Sequence, residues 1–263
     1  MGEISYEPLI RDMVWSYSRI KAFEACPYRW YLKYIRFPKK HGKDLFFADY
    51  GKFVHELIAD FYSGRKSRQE VELEYLQRFR EKVKSFAPNK KIFTNYFKDG
   101  LSYLRSLEPS ANQVLAIEEE TKFSVGDIPF IGYIDRVDRN KAGEISIIDN
   151  KSRKLKPRSG RKTPTKADEE LDDYLRQLYL YSIPVKDMYG CFPSKLCFNC
   201  FRDKLTIEEP FQKEVFNNTL QWAADRVDEI AVETDFKPIV EYFKCRYLCE
   251  MQDYCEYYEL SRR

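Results

Sequence analysis

Residues 113–151 read QVLAIEEETKFSVGDIPFIGYIDRVDRNKAGEISIIDNK, and the fold turns on how they are parsed. Short runs rich in β-branched and aromatic residues are punctuated by VGD and NKAGE, where Gly, Asn and Asp favour turns. The pattern predicts three consecutive strands, QVLAIEEETKFSV, IPFIGYIDRVDR and EISIIDNK, arranged as a meander. Upstream, apolar residues recur at three- and four-residue spacing, as in Val54, Ile58 and Phe61. This spacing predicts helices near 16–36, 46–63, 68–87 and 90–108. Downstream, a basic loop interrupted by Pro157 and Pro164 leads into ADEELDD, whose five carboxylates suit the positive end of a helix reaching about Met188. Two further strands, KLCFNCF and KLTIEEP, a helix from about Phe211 to Val232 and a cysteine-bearing tail complete the chain. Strands flanking a helix in this order imply an α/β fold, with a central mixed sheet flanked by helices.

At 263 residues the chain suits one large domain, and neither an internal repeat nor a long linker divides it. We read a single unit: a helical N-terminal region (1–110), a core (111–235) and a cysteine tail (236–263). With 43% hydrophobic and 16% aromatic residues, collagen-like and wholly disordered chains are excluded. No run approaches the roughly 18 apolar residues of a membrane span, and the opening MGEISYEPLIRDMVW has acids where a signal peptide has a basic flank. A soluble cytoplasmic protein with no membrane partner is expected.

The net charge is only +3, so attraction to a polyanion must come from local clusters. Between Tyr28 and Lys43 lie six Lys/Arg and five aromatic residues without an acid, and between Lys151 and Lys166 lie eight Lys/Arg, again without one. Both suit a phosphate backbone, and the first adds faces on which unpaired bases could stack. Solvated surface is the plain alternative.

Asp149 and Lys151 are two apart at the end of an apolar strand and therefore point the same way. If a neighbouring strand brings Asp135 alongside, two carboxylates can hold a hard divalent cation with an ammonium group beside it. Mg²⁺ or Mn²⁺ so held polarises a phosphodiester and lowers the pKa of a bound water, while the lysine orients that water or balances developing charge. Hydrolysis of nucleic acid is the natural reaction, although such a pair alone is commonly a hydrated strand end. His55, in GKFVHELIADFY, sits beside the apolar stripe of its helix and is a candidate third ligand or a packed imidazole. Gln177 and Tyr181, four apart, share one helix face and could meet the site, or be filler.

Seven cysteines, an odd number, argue for reduced thiols or metal ligands rather than a disulfide framework. Cys245, Cys249 and Cys255 offer three thiolates in a short stretch, one fewer than a closed zinc or iron–sulfur shell requires. Cys197 and Cys200, three apart on a strand, should point to opposite faces and are read with Cys191 as core thiols.

In order along the chain these residues resemble the PD-(D/E)XK nuclease superfamily, and within it the RecB-like nucleases, including CRISPR-adaptation nucleases with a carboxy-terminal cysteine cluster. The resemblance rests on SYSRIKAFEACPYRWYLKYI, on Gly51-x3-His55, on Gly132-Tyr133-Ile134-Asp135, on Ile147-Ile148-Asp149-Asn150-Lys151 and on Gln177-x3-Tyr181. It implies a restriction-endonuclease-like core and a metal-dependent DNA nuclease, an exonuclease acting on single-stranded or duplex ends. Mg²⁺ or Mn²⁺ would be bound by His55, Asp135 and Asp149, with Lys151 catalytic and Gln177 and Tyr181 shaping the site. It further implies a [4Fe–4S] cluster on Cys26, Cys245, Cys249 and Cys255, with Zn²⁺ as the competing occupant. Ile134 replaces the proline that names the superfamily, Asn150 and Ser152 stand where Tyr and Thr often flank the lysine, and Cys245-x3-Cys249 is one residue longer than the usual spacing. One rival is a nuclease that trims DNA for CRISPR adaptation together with partner proteins. Another is a DNA-binding module that recruits a helicase and has lost hydrolysis, which the suitable side chains at all four candidate catalytic positions disfavour.

Overall fold

The computed structural model describes residues 5–37, 39 and 42–262. Helices come first: α1 (Glu7–Arg11), α2 (Tyr17–Ala25), α3 (Pro27–Tyr31, prolonged by a wider turn over Leu32–Arg36), α4 (Phe46–Tyr62), α5 (Arg68–Lys82) and α6 (Lys90–Arg105). The single helix expected near 16–36 is broken at Cys26, whose backbone is extended at φ −170° and ψ 105°. Pro27 is the cause, since its ring disfavours a helical conformation in the residue before it. Cys26 then caps α3, its Sγ accepting the Arg29 N–H. Helices α5 and α6 stop several residues short of the expected 87 and 108, ahead of Pro88 and Pro109.

The meander forms as expected: β1 (Gln113–Val125), β2 (Ile128–Arg139) and β3 (Ile145–Asn150) pair antiparallel. Helix α7 (Lys166–Tyr189) then crosses over, and β4 (Lys195–Cys200) lies parallel to β3. Strand β5 (Leu205–Pro210) returns antiparallel, so the mixed five-stranded sheet has the order β1-β2-β3-β4-β5. Thr165 and Asp168 cap α7 reciprocally, and Gly190 ends it in a left-handed turn at φ 77°. Helix α8 (Lys213–Ala231), a short α9 (Tyr242–Tyr247) and tight turns complete the chain. The result is the mixed sheet flanked by helices that the sequence pattern implies.

Alternation along β3 and β4 buries Ile145, Ile147, Leu196 and Phe198 against Leu171, Leu175 and Leu178 of α7. Trp15, Trp30 and Phe130 pack with Leu180 and Val227 in a second core that joins the N-terminal helices to α7 and α8. A third core unites α4, α5 and α6 and includes Phe201, just past β4. The tail docks on α3, where Tyr28 Oη donates to Glu256 Oε1 at 2.6 Å. Glu250 meets Arg29 at 2.6 Å and Lys33 at 2.8 Å. Among the described residues no helix is long and apolar enough to cross a membrane.

Two expectations need correction. Cys197 and Cys200 are buried, but Cys191, in the loop after Gly190, is exposed and is no core thiol. The aromatic faces expected between residues 28 and 43 are largely spent on packing: Trp30 is fully buried and stacked on Trp15, and Tyr28 is buried under the tail. Lys40 lies outside the described residues.

Candidate active site

The antiparallel register sets the first row of the site. Arg136 pairs with Ile148, which brings Asp135 opposite Asp149, and the Asn150 N–H donates to Asp135 Oδ2 at 2.6 Å. On β1, Ile117 pairs with Arg136 and Glu119 with Ile134, so Glu118 lies across from Asp135. Three carboxylates therefore form one row across β1, β2 and β3. Glu118 adopts φ +50°, the left-handed region, in the middle of a strand. A side chain other than glycine there costs about 1–3 kcal/mol, a strain that persists where surrounding structure enforces it and that is characteristic of functional positions.

Helix α4 supplies the imidazole. Its buried stripe, which includes Val54 and Ile58, fixes the helix so that half-buried His55 faces the row, with Nδ1 3.5 Å from Asp135 Oδ2. Donor atoms of His55, Glu118 and Asp135 all lie within 4.8 Å of one another. Asp149 is not one of this trio. Its Oδ2 is 2.7 Å from Lys151 Nζ, the ion pair expected of residues two apart on one strand face. The sequence reading named Asp149 and missed Glu118, one of three successive glutamates on an exposed edge strand.

Lys151 is held from two sides. Its Nζ donates to Gln177 Oε1 at 2.8 Å, and Gln177 Nε2 donates to Tyr181 Oη at 3.0 Å, so the pair four apart on α7 meets the site through the lysine. Gly132 explains why this relay fits. A Cβ added there would stand 2.4 Å from the Tyr181 ring, so only glycine lets the ring lie against β2.

Charge follows from this geometry. Burial pushes the Asp149 carboxyl up to about 6; the neighbouring Asp135 charge adds to the rise and Lys151 opposes it. Burial also raises Asp135, but the His55 hydrogen bond and charge, the Asn150 N–H and Lys151 outweigh it, leaving Asp135 below the usual carboxylate range. Burial would lower His55, yet the Asp135 hydrogen bond and the charges of Asp135, Asp149 and Glu118 leave it above its ordinary value. Burial and the charges of Asp135 and Asp149 raise Glu118. An acid-rich site that strains its own carboxylates and faces an imidazole suits a hard divalent cation. Gly51, Lys52, Glu56 and Arg65 join His55 and Glu118 around a cleft of about 480 Å³ that opens to solvent.

The cysteines gather elsewhere. Cys26, Cys245, Cys249 and Cys255, far apart in sequence, line one cavity of about 170 Å³ with apolar walls that include Leu32, Ile239 and Leu248. Cys26 Sγ accepts backbone N–H groups of Arg29 at 3.5 Å and Ile239 at 3.4 Å. Burial pushes the Cys249 thiol up to about 12 and raises that of Cys255. Among the described residues, no three of these sulfurs come within 4.8 Å of one another. The sulfurs of a tetrahedral zinc site lie nearer, at about 3.8 Å for a Zn–S bond of about 2.3 Å.

The basic loop is partly pinned. Arg153 pairs with Glu170, Lys154 with Asp203, and Arg158 with Asp172 and Glu209. Lys156, Arg161, Lys162 and Lys166 are exposed and have no carboxylate partner among the described residues.

Over residues 14–256 the chain matches the PD-(D/E)XK nuclease superfamily. No curated protein matches it. Among solved structures it is similar to a provisionally assigned exonuclease from Eubacterium rectale, with 10% identity, a TM-score of 0.48, and coverage of 88% of this chain and 87% of that one. It is also similar to the protein SSO0001, with 18% identity, a TM-score of 0.31, and coverage of 80% of this chain and 94% of that one.

Proposed function

The chain belongs to the PD-(D/E)XK nuclease superfamily, and from that premise we propose that it is a metal-dependent deoxyribonuclease of the RecB-like kind, acting as an exonuclease on DNA ends. The observation that carries this reading is the convergence of His55, Glu118 and Asp135 within 4.8 Å beside the Asp149–Lys151 pair. His55, Asp135 and Asp149 would hold Mg²⁺ or Mn²⁺, with Glu118 as a further oxygen donor. Bound there, the ion supplies Lewis-acid polarisation of a phosphodiester and a lowered pKa for a coordinated water. Lys151, steadied by Gln177 and Asp149, presents an ammonium group to the phosphate oxygens on which charge builds during attack. Tyr181 and Gly132 position that lysine through Gln177 without touching the reacting atoms. The unpaired cations of the 151–166 loop bind the backbone of the strand.

We assign Cys26, Cys245, Cys249 and Cys255 to a [4Fe–4S] cluster within one nuclease domain. Their convergence on one cavity, N–H groups directed at Cys26 Sγ and an apolar wall suit a buried cluster held by four thiolates. Joining residue 26 to residues 245–255 closes a very long loop, so the cluster clamps the tail to α3. The same constellation would serve a nuclease that trims DNA for CRISPR adaptation with partner proteins. A helicase-recruiting module without hydrolysis is disfavoured, because it would have no use for the strained Glu118 or for the row of acids beside it.

The test is direct. Anaerobically purified protein is incubated with end-labelled single-stranded and duplex DNA plus Mg²⁺ or Mn²⁺, beside Asp149→Ala and Lys151→Ala. Metal-dependent cutting by wild type alone is expected. Binding without cutting under every condition would favour the module, and equal cutting by all three proteins would refute the site.

A further inference from the structure

A second cleft, of about 690 Å³, lies between the cysteine tail and the α5–α6 loop, away from the acid row. Its walls combine cations with rings, Lys43, Lys84 and Arg246 with Phe47, Phe86 and Tyr247, and carry one carboxylate, Asp44, so that the cations outnumber the acid three to one. The three cations are exposed, and the Arg246 guanidinium is hydrogen-bonded to the Tyr247 side chain. Phe86 is 96% exposed, so it contributes nothing to any core. Nor does it hang from a loose loop. Val83 is buried, and Ser85 donates to Asp49 Oδ2 on α4 through both its hydroxyl, at 2.7 Å, and its backbone N–H, at 3.3 Å. A mounted, unpacked phenyl ring thus stands in water beside cationic side chains, an arrangement suited to stacking a planar group that carries negative charge.

The cleft and the candidate active site share helix α4. Phe47 on the cleft wall and His55 belong to the same helix, eight residues or about 12 Å apart. Phe47 touches Tyr96, and the Arg202 guanidinium lies over the Tyr96 ring, 3.4 Å from its centre. Arg202 also donates to the Ser152 carbonyl, one residue past Lys151. On the far side Phe47 meets Phe243 of the tail.

We propose that this cleft binds an unpaired stretch of the substrate strand, with its bases stacked on Phe86 and its phosphates on Lys43, Lys84 and Arg246, so that the protein prefers single-stranded DNA or overhangs to blunt duplex. A duplex hides its base faces and offers Phe86 nothing to stack on. The proposal rests on the nuclease reading for the identity of the polyanion.

Full-length protein in EDTA, so that no strand is cut, is titrated against a fluorescein-labelled oligothymidylate and a blunt duplex over a range of salt. Because Phe86 is bare of contacts, Phe86→Ala and Phe86→Leu leave the fold intact. Both should weaken oligothymidylate binding on the order of tenfold and leave duplex binding unchanged. Lys84→Ala should reduce the slope of log K against log salt by about 0.7. Unchanged single-strand affinity and salt slope in all three variants, or no single-strand binding by wild type, would overturn the proposal. A Phe86-dependent affinity in a wild type that cuts no DNA with Mg²⁺ or Mn²⁺ would keep the groove and remove the nuclease reading.

Discussion

Replacing Asp149 by Asn should stabilise the metal-free protein while abolishing its activity, and the size of the gain follows from the electrostatics of the acid row. Asp149 is 4% exposed, and burial with the adjacent Asp135 charge lifts its carboxyl from 3.8 to about 6, despite Lys151 at 2.7 Å. A carboxyl that holds its proton more tightly when folded loses stability as pH rises. The folded state is fully favoured below 3.8, the penalty accrues between 3.8 and about 6, and it is constant above that range. At about 1.4 kcal/mol per pH unit, that window corresponds to about 3 kcal/mol at neutral pH. Asparagine carries no charge at any pH and fills the same space, so the variant escapes this penalty.

Chemical and thermal denaturation in EDTA at pH 7.5 and pH 4 provides the assay. The Asn variant should melt higher at pH 7.5 by about 6–12 °C, at roughly 2–4 °C per kcal/mol for a chain of this size, and should match wild type near pH 4. Adding Mg²⁺ or Mn²⁺ should raise wild type and not the variant, because binding to the folded state alone contributes RT ln(1 + [L]/Kd). The opposing expectation is equally definite. If the ion pair outweighed the burial cost, removing one partner would destabilise the fold by about 3–5 kcal/mol. A variant that melts lower than wild type at pH 7.5 would therefore refute the reasoning.

Other outcomes follow from single contacts. Gly132→Ala places a Cβ 2.4 Å from the Tyr181 ring, so differential scanning calorimetry should show a loss of about 1–3 kcal/mol, with nuclease activity falling as the Tyr181–Gln177–Lys151 relay is displaced. Glu118→Gly relieves a left-handed backbone at φ +50° and should raise stability by about 1 kcal/mol, while cleavage should need at least about tenfold more Mn²⁺. Cys26→Ser should lose the iron and brown colour of anaerobically purified protein and expose the tail to proteases. Stoichiometric zinc in a colourless, active wild type would overturn the cluster assignment. Glu250 is raised by burial, but Arg29 and Lys33 more than offset this and hold it below 4.5, so its anchoring of the tail should persist above that pH and weaken as pH falls below it, read as faster pepsin cleavage of the tail.

What the sequence made legible was periodicity. Alternation in EISIIDNK put Asp149 and Lys151 on one face, and the two atoms meet at 2.7 Å. The four-residue step from Gln177 to Tyr181 produced a hydrogen bond of 3.0 Å, for the same reason that i and i+4 adjoin on a helix. Local stereochemistry was less legible, since the break at Cys26 needed the weight of Pro27 against a helical pattern running through it. Stacking faces in the 28–43 stretch were misjudged because residue type does not reveal which aromatic residues α2, α3 and the tail bury among themselves.

Glu118 shows where such reading stops. In IEEET three glutamates follow one another on an edge strand, and alternation alone treats all three as solvated. Its role emerges only from cross-strand register, where Ile117 meets Arg136 and Glu119 meets Ile134, leaving Glu118 opposite Asp135. Register is a property of two strands together and has no signature in either alone. The left-handed φ at Glu118 is a second quantity that no propensity of glutamate would suggest. Both features oppose local preference, and a sequence that accepts strain and like-charge crowding at one row of a stable sheet must recover that cost when the row is used. Binding of a divalent cation would recover it, because one ion would relieve the repulsion between Glu118 and Asp135 that the buried Asp149 adds to.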